Sequence, residues 1–259
     1  MSGSGGEAAV VVDGVAVGWD ATVIQRDLSF EVLRGEVFGI LGGSGSGKST
    51  LLKAMFGLHP LLRGRILLEG DDLAAARGAA RGRLLRRFGV MFQSGALLGS
   101  LTVLENVRLP LDEFTDLDDE ERELVALAKL DQVGLCPAAR KLPGELSGGM
   151  QKRVAIARAM ALDPGILFLD EPSAGLDPIT SAEIDALVCA LSRRFGITSV
   201  IVTHELPSIF AVIDRCVLLD GEAQTIIAEG RPADLRDHST DPRVLRFFRR
   251  ETEQGASVP

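Results

Sequence analysis

Gly42, Gly43, Ser44, Gly45, Ser46, Gly47, Lys48, Ser49 and Thr50 form one continuous stretch whose types and spacing suit phosphate chemistry. They match G-x-x-x-x-G-K-[ST] in full at Gly42, Gly47, Lys48 and Ser49. Residues without a Cβ let backbone N–H groups converge on a phosphate, and the N-terminus of a following helix adds more. Lys48 then brings positive charge to the β and γ phosphates, and Ser49 offers a hydroxyl to Mg²⁺. A flexible Gly/Ser linker would account for GGSGSG alone, but not for Lys-Ser-Thr set between apolar flanks.

Two further strand candidates end in chemistry. ILFLDEP (166–172) is an apolar run closing on Asp170 and Glu171. A buried parallel strand would deliver both carboxylates to its C-terminal edge, where open α/β sheets bind ligands. Asp170 suits Mg²⁺, directly or through water, and Glu171 suits a base or water-orienting group. SVIVTH (199–204) ends on His204, which could touch the γ-phosphate or position the water. The plainer readings are a surface turn for the acids and a structural role for the histidine; the phosphate loop upstream weighs against both.

These residues need elements to hold them. EVFGIL (36–41) reads as a strand running into the glycine loop, and LLKAMFGL as the helix leaving it. VVVDGVAV, ATVIQRDLSF and RGRILLEG read as further strands. Residues 101–160 are mostly helical in pattern. The acidic stretch 112–123 fits a capping box at Asp118 and Glu121, followed by an apolar stripe of Leu124, Leu127, Ala128 and Leu130. Ser147, Gly148 and Gly149 precede MQKRVAIARAMAL, a helix expected to end before Pro164. That helix N-terminus is a second end that seeks phosphate. From 166 onward ILFLD, SVIVT and CVLLD alternate with helical stretches, an α/β signature with a helical insertion before it. Arg77–Arg87 holds five arginines, read either as a solvated helix face or as a contact with an acidic partner.

Composition bounds the rest. The chain has 259 residues, enough for one to two domains with a core needing no disulfide or structural metal. A net charge of -8 argues against nucleic acid as a partner. No apolar run approaches the roughly 18–20 residues of a membrane span. Cys136, Cys189 and Cys216 are scattered, as small hydrophobes in a reducing compartment would be. The opening MSGSGGEAA lacks the basic and apolar regions of a secretory signal, so a cytosolic setting is the expectation.

Taken together, Gly42–Thr50, Gln93, LSGGMQKR (146–153), Asp170–Glu171, SAGLD (173–177) and His204 resemble, in order and spacing, the motifs of the ATP-binding cassette (ABC) ATPases. The resemblance covers about 10–230. It implies an α/β P-loop NTPase of the ABC ATPase type: a RecA-like core, an antiparallel β subdomain and an inserted α-helical subdomain. It implies ATP and Mg²⁺, with Lys48, Glu171, His204 and Gln93 in catalysis and Ser49, Gln93 and Asp170 at the metal. Ser147, Gly148 and Gly149 would belong to the signature that binds a second copy's ATP, in a head-to-tail homodimer with Asp177 at the interface. Trp19 stands where the family offers an aromatic ring to adenine, although GWDAT also fits a core or surface tryptophan. The implied division is a flexible 1–9, a nucleotide-binding domain at 10–231 with its helical subdomain at about 94–160, and a C-terminal extension at 232–259. One or two short helices are expected in 232–250 and a loose end at 253–259.

More narrowly, FQSGAL (92–97), Met150, DPIT (177–180) and DPRVLRFF (241–248) resemble the ATPases of Mla/Mce-type phospholipid-trafficking ABC systems. That branch implies integral-membrane permease subunits, a periplasmic Mce-type lipid-binding protein, and a place on the cytoplasmic face of the bacterial inner membrane. In such assemblies the tail reaches across the ATPase dimer, and Gly95 and Leu98–Leu101 would receive a coupling helix. Gln151, where several members have Ala, is a departure that touches no chemistry. Another ABC importer or exporter, or a soluble regulatory ABC ATPase, would share every catalytic residue.

Overall fold

The computed structural model describes residues 6–20 and 22–249. Outside the described residues lie 1–5, part of the expected lead-in, residue 21, and 250–259, which include the expected loose end. Chain order runs β1 (Ala8–Trp19), β2 (Thr22–Leu33), β3 (Val37–Gly42), α1 (Lys48–Met55), β4 (Arg63–Leu68), β5 (Asp71–Asp72), α2 (Gly78–Leu85) and β6 (Phe88–Met91). It continues through α3 (Val103–Phe114), α4 (Asp119–Gln132), α5 (Gly148–Ala159), β7 (Ile166–Asp170), α6 (Pro178–Phe195) and β8 (Thr198–Val202). The last elements are α7 (Leu206–Val212), β9 (Arg215–Asp220), β10 (Thr225–Gly230), α8 (Pro232–His238) and α9 (Pro242–Arg249).

Two sheets carry these strands. β2-β1-β4-β5 is antiparallel, and β10-β9-β3-β8-β7-β6 is parallel except for β10. β3, β7 and β8 are buried along their whole length, as central strands covered on both faces must be. The strand period of two sorts their side chains. Phe38, Ile40, Ile166, Phe168, Val200 and Val202 join α1 and the antiparallel sheet in one core. Leu167, Leu169 and Ile201 turn to the opposite face, where α3, α4, α5 and α6 pack. The loops at the C-terminal ends of β3, β7 and β8 are thereby held by strands that cannot slip register without turning core residues outward.

Several sequence expectations change in detail. The Asp118–Glu121 capping box is present at the start of α4. The apolar stripe is rotated, however: Leu124 is 67% exposed, Ala128 is exposed and Leu127 is half-buried, while Ala126, Lys129 and Leu130 face inward. Ion pairs from Arg108 to Asp119 and from Arg122 to Asp112 tie the N-terminal end of α4 to α3 and fix that rotation. α5 ends before Pro164 as expected, but at Ala159 rather than Leu162, because Ala161 and Asp163 donate three residues back and tighten the chain out of α-helix. Lys129 meets Asp163 there. The arginine cluster is largely consumed by its own fold. Arg77 donates to Ala74 O, Arg81 to Leu73 O, and Arg87 pairs with Asp71. Two helices, α8 and α9, occupy the stretch expected to hold one or two, with Val244 and Phe248 buried.

Candidate functional site

β3 sits between β8 and β9 and delivers Gly42 to the sheet edge. The loop that follows bends through backbone conformations that favour glycine: φ is +152° at Gly42, +75° at Gly45 and +87° at Gly47. A Cβ on Gly42 would lie 2.5 Å from Ser46 Oγ and 2.6 Å from Leu219 O. Gly47 caps α1, so the first N–H groups of that helix open into the loop. Lys48 Nζ donates to Gly43 O (2.7 Å), folding the ammonium back across the cradle. Burial holds the Lys48 pKa below the ordinary lysine range, against the opposing pull of Glu171 and Asp170. Gly43, Ser44 and Gly45 are exposed, Ser46 is buried, and Ser49 and Thr50 are half-buried on α1. Ser46 Oγ is buried with no hydrogen-bond partner among the described residues.

β7 and β8 bring the remaining chemistry alongside. Ser49 Oγ donates to Asp170 Oδ1 (3.1 Å). Burial raises the Asp170 pKa despite that bond. His204 Nδ1 lies 2.6 Å from Glu171 Oε1, and Nδ1–H facing a carboxylate is the consistent tautomer. Glu171 takes a left-handed backbone (φ +51°), is 5% exposed, and leaves Oε2 buried without a partner among the described residues. Hydroxyl and carboxylate oxygens at Ser49 and Asp170 are the hard donors Mg²⁺ prefers, and the glycine cradle with Lys48 suits a triphosphate. The residues present fit both groups, and bound Mg²⁺ would neutralise charge on the phosphates.

Gln93 lies past β6 with its side chain exposed. Ser147 caps α5, its Oγ accepting from Met150 N (3.3 Å). A Cβ on Gly149 would stand 2.3 Å from Thr180 Cγ2, so α5 starts hard against α6. Asp177 caps α6. Gln93, Gly148, Lys152 and Gly175 line one cavity of about 350 Å³. Among the described residues, no hydrogen bond or ion pair joins Ser147–Gly149 to Gly42–Thr50. Trp19 is 56% exposed and so not a core residue, its ring 4.4 Å from that of His59. It pairs with Thr22, on the same strand as Ile24, whose Cγ2 a Cβ on Gly47 would meet at 2.8 Å. The aromatic ring thus belongs to the end of the antiparallel sheet that abuts the loop. Leu98, Gly99 and Ser100 are exposed and Leu101 is half-buried, whereas Gly95 is buried and lines the same cavity as Gln93.

Two residues that sequence reasoning passed over hold this arrangement together. Gln25 is fully buried on β2 and donates from Nε2 to Ser46 O (2.9 Å) and Asp220 O (2.8 Å), tying the loop to two strands. Its signal was faint: the left-handed turn at Asp27 shifts the alternation that would mark an inward position. Lys152 on α5 donates to Gln93 O (2.5 Å) and Glu171 O (3.1 Å). No motif marks it.

A family model described as ABC transporter matches residues 25–174. The chain is 37% identical over 231 residues to the intermembrane phospholipid transport system ATP-binding protein MlaF of Haemophilus influenzae, covering 89% of this chain and 86% of that one. It is 38% identical over 232 residues to the methionine import ATP-binding protein MetN of Caulobacter vibrioides, covering 90% and 69%. A dimeric post-hydrolysis structure of the ATP-binding cassette MJ0796 with ADP and Pi superposes at a TM-score of 0.77 with 31% identity, covering 86% of this chain and 98% of that one. The core of parallel strands with its inserted helices is the RecA-like P-loop fold of those proteins, and the chain belongs to the ATP-hydrolysing, ATP-binding subunits of the ABC transporters.

Proposed function

We propose that two copies of this chain close head to tail around ATP and drive an ABC transport complex. The reading rests on one observation: Ser49–Asp170 and Glu171–His204 converge beside the glycine loop, while Ser147 caps a separate helix in the same chain. Lys48 draws charge from the β and γ phosphates. Glu171 orients the attacking water and takes its proton, and His204 holds that carboxylate in place. Ser49, Asp170 and Gln93 hold Mg²⁺. Ser147, Gly148 and Gly149 of one copy meet the γ-phosphate of the other. Trp19 stacks on adenine. The nucleotide-binding domain spans 10–231, its helical part about 94–160, with 232–259 as an extension.

No helix of the described residues is long and apolar enough to cross a membrane. As the likeness to ABC transport ATPases implies, the chain works docked on permease subunits, at the cytoplasmic face of the inner membrane. FQSGAL, Met150 and DPIT favour a phospholipid cargo and an Mce-type partner. The phospholipid- and methionine-named relatives stand level at 37% and 38% identity, so the broader reading, an ABC transport ATPase whose permease selects the cargo, has the firmer support. The test is to purify the complex this chain forms with its membrane partners and identify its bound ligand by mass spectrometry. Co-purified phospholipid supports the lipid reading; stimulation of ATPase activity by an amino acid instead removes it. An isolated chain that never joins a membrane complex removes the transport reading as a whole.

A further inference from the structure

Lys152 reaches across the gap between two loops that approach from different strands. Its ammonium donates to the carbonyl of Gln93, after β6, and to the carbonyl of Glu171, after β7. Glu171 is a poor residue for its own backbone, because at φ +51° its Cβ crowds the chain. Three bonds hold that conformation. Glu171 N donates to Val202 O (2.9 Å), and Glu171 O accepts from Lys152 (3.1 Å) and, at the longer distance of 3.4 Å, from Ala174 N. The left-handed turn is what sets Glu171 Oε1 against His204. The other loop is tied to the same helix a second time. Gly95 and Ala96 are consecutive left-handed residues, and the carbonyls they present are both taken by Arg158, at 2.6 Å and 2.8 Å. Helix α5 therefore grips the Gln93–Ala96 loop at both ends and the Glu171 turn through one side chain.

We propose that Lys152 is a positioning residue that locks the Gln93 loop to the Glu171 turn, so that displacement of the loop moves the carboxylate that orients water. Its surroundings suit the task. Lys152 is 9% exposed; burial lowers its pKa, and the nearby carboxylates of Glu171, Asp170 and Glu205 oppose that shift. A lysine serves better here than a neutral donor, since one ammonium carries three N–H bonds and two are spent on carbonyls from different loops. The inference rests on Glu171 serving hydrolysis, but the mechanical tie does not, and the two are tested apart.

The experiment compares Lys152→Met and Lys152→Arg with the parent chain in two measurements. The first is amide hydrogen exchange of the nucleotide-free protein. Removal of the tie should speed exchange in segments 92–97 and 170–174 together, and K152R should restore much of the protection. The second is ATP turnover against ATP affinity. Misplacing Glu171 should lower kcat of K152M by roughly 10- to 100-fold while leaving the nucleotide affinity set by Lys48 unchanged, with K152R recovering most of the loss. If K152M does not fold, Lys152→Gln, polar but too short to span both carbonyls, replaces it. Unchanged exchange in either segment overturns the tie. Faster exchange with parental kcat overturns its catalytic consequence. A parent chain with no ATPase activity counts against the hydrolytic reading itself, while the exchange result still decides whether Lys152 joins the loops.

Discussion

Replacing Glu171 by Gln tests the assignment of the proton acceptor with little structural disturbance. The amide has the shape of the carboxylate and still accepts at Oε1 from His204, the contact that spans 2.6 Å. The backbone turn at φ +51° is held by Val202 O, Lys152 and Ala174 N, none of which touches the substituted atoms. The substitution also removes one of two neighbouring buried carboxylates, since Asp170 and Glu171 are 6% and 5% exposed. Folding should therefore not suffer. What is lost is a group able to take a proton from water. General bases contribute about 10²- to 10⁴-fold, or roughly 2.7–5.4 kcal/mol of barrier. Phosphate release at saturating ATP should fall by that factor, while equilibrium binding of a fluorescent ATP analogue and the thermal midpoint stay at parental values. A variant that hydrolyses ATP at the parental rate refutes the assignment, and the role would pass to another group beside the γ-phosphate.

Three further outcomes follow from the same geometry. Lys48→Ala removes charge-assisted bonds to phosphate worth about 1.5–3 kcal/mol, so ATP affinity should weaken by roughly 10- to 100-fold in a titration; unchanged affinity contradicts the cradle. Asp170→Asn should abolish Mg²⁺-dependent turnover yet stabilise the metal-free chain at pH 7. Folding raises the Asp170 pKa, so its contribution to stability is full below the ordinary carboxylate value and is lost as pH rises through the raised one. The gain in thermal midpoint measured in chelator should accordingly vanish in acid, and a loss at pH 7 would contradict it. Asp118→Ala breaks the capping box of α4 and should cost about 1 kcal/mol, seen as a midpoint lower by about 2–4 °C with ATPase activity intact.

The parts of the molecule legible in sequence are those where one residue type has one use. β3, β7 and β8 were readable because a strand buried on both faces is a mostly apolar run, and each leads into a residue the site needs: Gly42, Asp170 or His204. The capping box at Asp118 was readable because both partners are local. The rotation of α4 was not, because Ala126 and Lys129 face inward through tertiary packing and ion pairs rather than through periodicity. β10 escaped notice because TIIAEG is half-buried at a sheet edge and shows no clean alternation. Gln25 and Lys152 escaped for a related reason. A buried polar side chain that binds backbone carbonyls from distant segments has partners 19 to 195 residues away, and no spacing rule encodes them.

The central claim is that one copy of this chain lacks a complete hydrolytic pocket and that ATP brings two together. Light-scattering mass of the Glu171→Gln chain, with and without ATP and Mg²⁺, addresses it most directly. The account predicts 27.6 kDa without nucleotide and about 55 kDa, twice that value, with it. A chain that binds ATP stoichiometrically and remains at 27.6 kDa contradicts it.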